Sequence, residues 1–170
     1  MLLISSIVLH GFIYAIILIA YLFFVMVKFN PRIWGFSDYP KVITDRVPPQ
    51  TKSEKRMGSI LGIPFFLFGL GFPIISTLIL RDQSGGEINF FSAFFNIFGI
   101  LMFGNAADLL ILDWIIVGTI TPKFVIIPGT EDMKDTGYKD FRIDHAKGHI
   151  WGTLFIAASS LLLALIIILL

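Results

Sequence analysis

Two carboxylates lie inside a stretch of the chain that is otherwise apolar. Asp108 and Asp113, preceded by Asn105, interrupt the otherwise uncharged sequence from 88 to 120. An ionisable side chain in hydrocarbon costs about 2.5–3.5 kcal/mol on insertion scales, so such groups normally face protein or water. On an α-helix the two carboxylates lie roughly 140° apart, because each residue turns the helix by about 100°. We therefore expect both to face protein or a water-filled cavity, where they either handle a proton or cation or form a structural hydrogen bond or ion pair.

Two histidines follow at the start of the last apolar stretch. His145 and His149 are four residues apart, so on a helix they project about 40° from each other and can share one metal ion or one anionic group. The third stretch ends on the side of the membrane where the fourth begins. Asp113, near that end, is therefore predicted to meet His149, and Asp108 is predicted to lie deeper in the membrane. The sequence thus predicts one polar site, with a divalent metal as a candidate ligand of Asp113, His145 and His149. Two histidines are too few to specify a metal, and the alternative is that both lie among lipid headgroups.

The first apolar stretch carries a stripe of polar side chains. They fall within roughly 40° of His10 around an α-helix, at Ser6, His10, Tyr14, Tyr21 and Lys28. One interpretation is a polar track for protons, water or a ligand headgroup. The other is that the tyrosines anchor at the membrane interfaces, Lys28 snorkels, and His10 forms one hydrogen bond to a neighbouring helix.

The composition indicates that membrane helices position these residues. The chain of 170 residues is 56% hydrophobic and 15% charged, with a mean hydropathy of +0.85, whereas a soluble domain is about a quarter charged. It has no cysteine, which excludes disulfides, thiol chemistry and thiolate metal ligands. The formal charge of +1 gives no reason to expect a nucleic-acid partner. We therefore predict an all-α integral membrane protein.

Four apolar stretches are long enough to cross a bilayer, which takes about 20 helical residues. They predict a single transmembrane domain, residues 1–170, with four helices at about 2–27, 57–80, 97–120 and 149–170. The third stretch begins before 97, and its first part is expected at the membrane interface. The first stretch has neither a basic n-region nor a cleavage site, so we expect a retained helix rather than a signal peptide.

The second apolar stretch is expected to form a bent helix. It contains Pro64 and Pro73, which cannot donate backbone hydrogen bonds. Gly58 and Gly62 have the spacing that allows close approach of two membrane helices. Discontinuous helices line transport sites, but kinked helices also occur in proteins that transport nothing. The sequence leaves both interpretations open.

Lysine and arginine positions predict the orientation. Seven lie in the 29 residues from 28 to 56, one lies between the second and third spans, and five lie in the 28 residues from 121 to 148. Basic residues concentrate in cytoplasmic loops, so both long loops are predicted in the cytoplasm and both termini outside. The basic residues just before the second span, Lys52, Lys55 and Arg56, are expected to bind anionic lipid headgroups.

The first long loop contains four prolines, at positions 31, 40, 48 and 49. Proline removes a backbone donor and fixes φ, so we expect this loop to be extended. Its aromatic residues Trp34, Phe36 and Tyr39 are expected to pack it onto the membrane surface.

Several functions are excluded and three remain. The chain has no phosphate-binding GxxxxGK[ST] loop, no GxGxxG and no GxSxG element, and no Ser/His/Asp set is indicated. The first hypothesis is a homo-oligomeric transporter or channel-like protein that moves an ion, a proton or a small solute. The second is an enzyme that acts on a lipid or lipid-linked substrate at the cytoplasmic interface, and the third is a non-catalytic partner subunit of another membrane protein. In all three the protein is a multi-pass protein, expected in the plasma or cytoplasmic membrane, whose contacts are lipids and further membrane chains.

Overall fold

The structure is a computed structural model that describes residues 2–139 and 142–170. Every regular element in these two ranges is helical. The α-helices are α1 (Leu2–Lys28), α2 (Pro31–Trp34), α3 (Lys41–Thr44), α4 (Lys52–Gln83), α5 (Phe90–Ala107) and α6 (Arg142–Ile168). A π-helix continues α5 directly over Asp108–Ile120, and two short 3₁₀ turns follow at Lys123–Val125 and Glu131–Met133. Residue 1 of the predicted domain and residues 140 and 141 of the predicted loop 121–148 lie outside the described residues.

Four helices are long and apolar enough to cross a membrane: α1, α4, α5 with its π-helical continuation, and α6. The prediction of an all-helical chain with four candidate spans is thus confirmed. The helices are longer than the apolar stretches because charged residues do not end a helix. Thr51 and Glu54 form a reciprocal capping box that starts α4 five residues before the stretch at 57–80. Asn89 likewise caps α5 and sets its start at Phe90.

The third span changes its winding halfway. From Asp108 to Ile120 each turn closes through a hydrogen bond between residues five apart, rather than four apart as in α5. The π-helix ends at Thr121, which has a left-handed backbone with φ 47°, while its amide donates to Ile116 O at 2.8 Å. The Thr121 hydroxyl donates to Val117 O, also at 2.8 Å. The buried threonine side chain therefore holds the turn that ends the span.

The third span lies at the centre of the bundle, where α5 contacts α1, α4 and α6. Gly104 allows the closest approach, because a Cβ there would meet the Tyr14 ring and lie 2.9 Å from Leu18 Cδ2. Gly99 likewise allows Ile7 to approach closely, because a Cβ at Gly99 would lie 2.7 Å from Ile7 Cγ2. Small residues on α5 therefore set the distance between the first and third spans.

The two long loops fold onto one another and do not lie extended. Their shared core contains Tyr39 and Ile43 from the first loop with Val125, Ile127 and Tyr138 from the second. Tyr39 is 6% exposed and donates its hydroxyl hydrogen to Val125 O at 2.7 Å. The expectation of an extended loop held on the membrane by Tyr39 is therefore wrong. Two of the four prolines start short helices: Pro31 is the first residue of α2 and Pro40 precedes α3, since a proline fits the start of a helix.

Candidate functional site

The site begins with a hydrogen-bonded network between the third and fourth long helices. The Thr153 hydroxyl donates to the carbonyl oxygen of His149 at 2.8 Å and accepts from Asn105 Nδ2 at 3.2 Å. This arrangement orients the Asn105 amide so that its Oδ1 faces His149 Nδ1 at 2.7 Å. The other ring nitrogen, His149 Nε2, lies 2.9 Å from Asp113 Oδ2.

With Asp113 ionised, the network favours the positively charged form of His149. Its two ring nitrogens each face an oxygen that can only accept, the amide Oδ1 of Asn105 and the carboxylate Oδ2 of Asp113. A neutral imidazole has one N–H donor, whereas the imidazolium has two. Both hydrogen bonds form together only when His149 is positively charged. The carboxylate of Asp113 is the counter-charge.

His145 reaches the same carboxylate from one turn earlier in α6. Its Nδ1 donates to Asp113 Oδ2 at 2.7 Å, and its side chain is 12% exposed. One carboxylate oxygen of Asp113 thus accepts from two imidazoles. This contact is possible because α6 begins at Arg142 and is helical through both histidines. A separation of four residues then places both side chains on the same face of the helix.

Asp108 lies one turn of the π-helix before Asp113 and faces open space. It lines three adjoining cavities. The loop-side cavity, of about 650 Å³, also contains Asp38, Asp113 and His145 in its wall. The histidine cavity, of about 400 Å³, includes both histidines. The inner cavity, of about 200 Å³, extends between the helices to Tyr14. Within the described part of the chain, the Asp108 carboxylate forms no hydrogen bond, in contrast to that of Asp113.

Asp38 is a site residue that the sequence analysis missed. It lies between α2 and α3 and lines both the loop-side and the histidine cavity. Although Asp38 is exposed at the cavity mouth, the surrounding protein removes enough water to raise its pKa; His145 opposes this shift and the charge of Asp113 adds to it. Its neighbours give the sequence signal, since Asp38 lies between the run Trp34-Gly35-Phe36-Ser37 and Tyr39, an unusual setting for a solvated loop acid.

The loop that carries Asp38 is held in place by Arg32. The Arg32 guanidinium pairs with Glu54 at the start of α4, with Nε to Oε1 at 2.7 Å. It also donates to the carbonyl oxygens of Pro48 and Pro49, at 3.0 and 3.1 Å. The Ile33 carbonyl packs directly against Gly58, which has no side chain to obstruct it. The first long loop is therefore fixed to α4 on one side of the loop-side cavity.

The polar stripe of α1 faces α4, and two of its members line the cavities, Tyr21 the loop-side cavity and Tyr14 the inner cavity. His10 Nδ1 lies 2.7 Å from Ser76 Oγ, and the Tyr21 hydroxyl donates to Leu61 O at 2.5 Å. Tyr14 stacks on Phe68 between them, with ring centroids 5.2 Å apart. The stripe is an antiparallel contact between α1 and α4, which agrees with the interpretation that His10 bonds to a neighbouring helix. Lys28, at its end, is exposed.

Two further predicted binding sets have no ligand-holding geometry of their own. Among residues 2–139 and 142–170, no group of three His, Asp or Glu side chains is arranged to hold a metal ion. Instead, His145 Nδ1 and His149 Nε2 both contact Oδ2 of Asp113. Lys52, Lys55 and Arg56 are exposed at the start of α4, and their binding to lipid headgroups stays a prediction.

Fold and site together define a helical multi-pass membrane protein with a polar, cavity-lining centre on its third and fourth long helices. The chain matches no protein-family model, no curated protein and no solved structure.

Proposed function

We propose that the protein moves a cation, either a proton or a small cationic solute, across the membrane by way of Asp108. The observation that carries this proposal is the position of Asp108 between two cavities. It lines the loop-side cavity, which reaches Asp38 at the mouth, and the inner cavity, which reaches Tyr14 between the helices. A carboxylate at such a junction can receive a cation from one side and release it to the other.

The charges of the site support a cationic cargo. Asp38, Asp108 and Asp113 contribute three carboxylates, and the charge on His149 is matched by Asp113 through a 2.9 Å hydrogen bond. Asp108 and Asp38 have no basic partner of this kind in the described chain. A charge that is buried without a partner is unfavourable, so a cation that binds beside Asp108 restores the balance.

The far end of the inner cavity supports a gated rather than an open path. Tyr14 lines this cavity and packs against Phe68 and Phe72 in an aromatic layer whose ring centroids are 5.2 to 5.7 Å apart. Beyond this aromatic layer lies a second polar group, in which Asn96 Nδ2 donates to the hydroxyls of Ser76 and Thr77 at 3.2 and 3.0 Å. Passage between the two polar regions requires the layer to open.

Helix α4 is the element suited to open the layer. Pro64 and Pro73 lie inside it and bracket Phe68 and Phe72. Each proline removes one backbone hydrogen bond, which lowers the cost of bending the helix at that point. A hinge movement of the segment between the two prolines would carry both phenylalanines away from Tyr14.

The proposal includes the orientation of the chain in the membrane and its oligomeric state. The distribution of lysine and arginine favours a site that opens to the cytoplasm, with both termini outside. Four spans are few for a transporter, so we propose a homo-oligomer in the plasma or cytoplasmic membrane, with lipid headgroups on Lys52, Lys55 and Arg56.

Reconstitution into lipid vesicles tests the proposal. A pH gradient is imposed across vesicles that contain a pH-sensitive dye, and the membrane potential is clamped with potassium and valinomycin. We expect the purified chain to dissipate the gradient faster than protein-free vesicles do. Dissipation at the protein-free rate, with inorganic and organic cations each added outside, would contradict transport.

A membrane-embedded enzyme is the second candidate, because one carboxylate orients two imidazoles beside a cavity. Asp113 holds His145 Nδ1 at 2.7 Å, an arrangement in which a histidine can act as a general base. This candidate requires a bound substrate that changes chemically. Mass spectrometry of lipids incubated with the protein distinguishes it from transport, which leaves the cargo unchanged.

A further inference from the structure

We infer that the cargo of this site is an amphipathic amine, that is, an ammonium group attached to an apolar tail, and that the loop-side cavity binds it. The inference rests on the proposed movement of a cation and names its chemical class. It comes from the two unlike groups of side chains in the wall of one cavity.

The polar part of the wall of the loop-side cavity suits an ammonium head. Asp38, Asp108, Asp113 and His145 lie together in its wall. Asp113 is engaged by its two histidines, while Asp38 and Asp108 keep acceptor oxygens for a ligand. An ammonium group has several N–H donors and one positive charge, and it forms its strongest hydrogen bonds with carboxylates.

The rest of the wall of the loop-side cavity is mainly apolar and aromatic. Tyr21, Trp34, Phe65 and Phe66 lie in its wall, with the aliphatic side chains Leu22, Val25, Met26, Leu61, Leu112 and Val117. A volume of about 650 Å³ falls in the range of sites for small organic molecules, about 300–1,000 Å³. A proton or a metal ion would use none of this space. The aromatic rings also attract a cation that passes over their faces.

The apolar part of the wall reaches the lipid-facing surface of the bundle. Phe66 lines the cavity and is 56% exposed on α4. Gly62, one turn before it, has no side chain, and the nearest atom to a Cβ there is 3.9 Å away on Phe66. An apolar tail can therefore enter from the bilayer beside Gly62 while the head lies against Asp108. Phospholipids fit this head site poorly, because their phosphate would approach three carboxylates.

The test is equilibrium binding of a fluorescent aryl-alkyl amine to the detergent-solubilised full chain, measured by fluorescence anisotropy. Its N-acetylated analogue has the same tail and no charge. We expect the amine to bind at least about tenfold more tightly than the analogue, since hydrogen bonds to charged groups exceed neutral ones by about that factor. Asp108→Asn should remove this difference, and Asp135→Asn, on the exposed loop surface, should keep it.

A second pair of variants tests the tail end. Gly62→Leu puts a side chain into the cavity and should weaken amine binding about tenfold or more. Gly71→Leu is the matched control, because a Cβ at Gly71 meets no atom within 4 Å and Gly71 does not line this cavity. Equal binding by both variants would overturn the assignment of the tail site.

The remaining outcomes separate this inference from the proposed function. Equal affinity for the amine and its acetylated analogue would overturn the amine assignment, and the vesicle assay would then decide the proposed function by itself. Vesicle transport of protons or inorganic cations, without amine binding, would overturn the inference and leave the proposed function standing. Displacement of the probe by a free long-chain amine would support the inference, whereas displacement by phosphatidylethanolamine, whose phosphate would approach the three carboxylates, would overturn it.

Discussion

Asp108 and Asp113 lie on the same face of the third span, one turn apart, in the walls of the same two cavities. In an α-helix a separation of five residues would point them roughly 140° apart. The π-helix over Asp108–Ile120 closes each turn between residues five apart and therefore aligns them. The two carboxylates differ in their partners, since Asp113 accepts from two histidines at 2.7 and 2.9 Å and Asp108 faces the cavities.

Asparagine substitutions at these two positions should affect stability differently. Asp113→Asn removes the negative charge that both histidines contact and should lower the free energy of unfolding by about 2 kcal/mol or more, the scale of hydrogen bonds to charged groups. Asp108→Asn removes an unpaired charge and should leave stability unchanged or raise it. Thermal unfolding of the purified protein in detergent measures both. A larger loss for Asp108→Asn than for Asp113→Asn would show that the partners have been assigned to the wrong carboxylate.

Asp38 should give the protein a pH-dependent loss of stability. Its pKa in the folded protein is raised from the ordinary value of 3.8 by burial. The folded state therefore binds this proton more tightly than the unfolded state. The contribution of Asp38 is fully present below pH 3.8 and is lost as the pH rises through the raised value.

The Asp38→Asn variant isolates this contribution from that of the other carboxylates. The melting temperature of this variant should match that of the wild type near pH 3.8 and exceed it at higher pH. The comparison uses thermal melts at a series of pH values from about 3.8 upward. A constant difference between the two proteins across the series would mean that the folded protein does not shift the pKa of Asp38.

Gly104 should tolerate no side chain. A Cβ would meet the ring of Tyr14 and lie 2.9 Å from Leu18, so Gly104→Ala should cost about 1–3 kcal/mol through overpacking. Gly71→Ala is the control, because a Cβ there has no neighbour within 4 Å. Thermal melting of both variants checks the packing of the first span against the third, and equal melting temperatures would contradict it.

The proposed orientation can be measured in intact cells. The chain has no cysteine, so single cysteines can be introduced without a background. A cysteine at Gln83, in the loop with one basic residue, should react with a membrane-impermeant reagent added outside. A cysteine at Lys52 should react only after the membrane is permeabilised. The reverse pattern would invert the topology while leaving the helix packing intact.

The long helices could be predicted from the sequence, because hydropathy over about 20 residues is a property of each segment alone. The spacing of His145 and His149 likewise places both on one helix face without further information. The meeting of Asp113 with His149 follows from the order of the spans. These parts of the site depend on local pattern and on chain connectivity.

The remainder depends on contacts that local pattern does not encode. A π-helix differs from an α-helix in the register of its backbone hydrogen bonds, and the polarity pattern around Asp108 does not specify that register. Asp38 reaches the site because the two long loops share a core, where Tyr39 bonds to Val125 O. That core joins segments far apart in the chain, so no spacing rule within the first loop could place Asp38 beside Asp113.

The central claim is that Asp108 carries the moving charge, and the most direct measurement is the flux through its variants in lipid vesicles. Wild type, Asp108→Asn and Asp108→Glu are reconstituted at equal density, after their melting temperatures show that all three are folded. We expect the wild type to move a cation rapidly, measured as dissipation of an imposed pH gradient and, in parallel vesicles, as uptake of a labelled aryl-alkyl amine; glutamate should keep partial activity, and asparagine, which carries no charge, should give the protein-free rate in both assays. An Asp108→Asn protein that dissipates the gradient as fast as the wild type would contradict the claim.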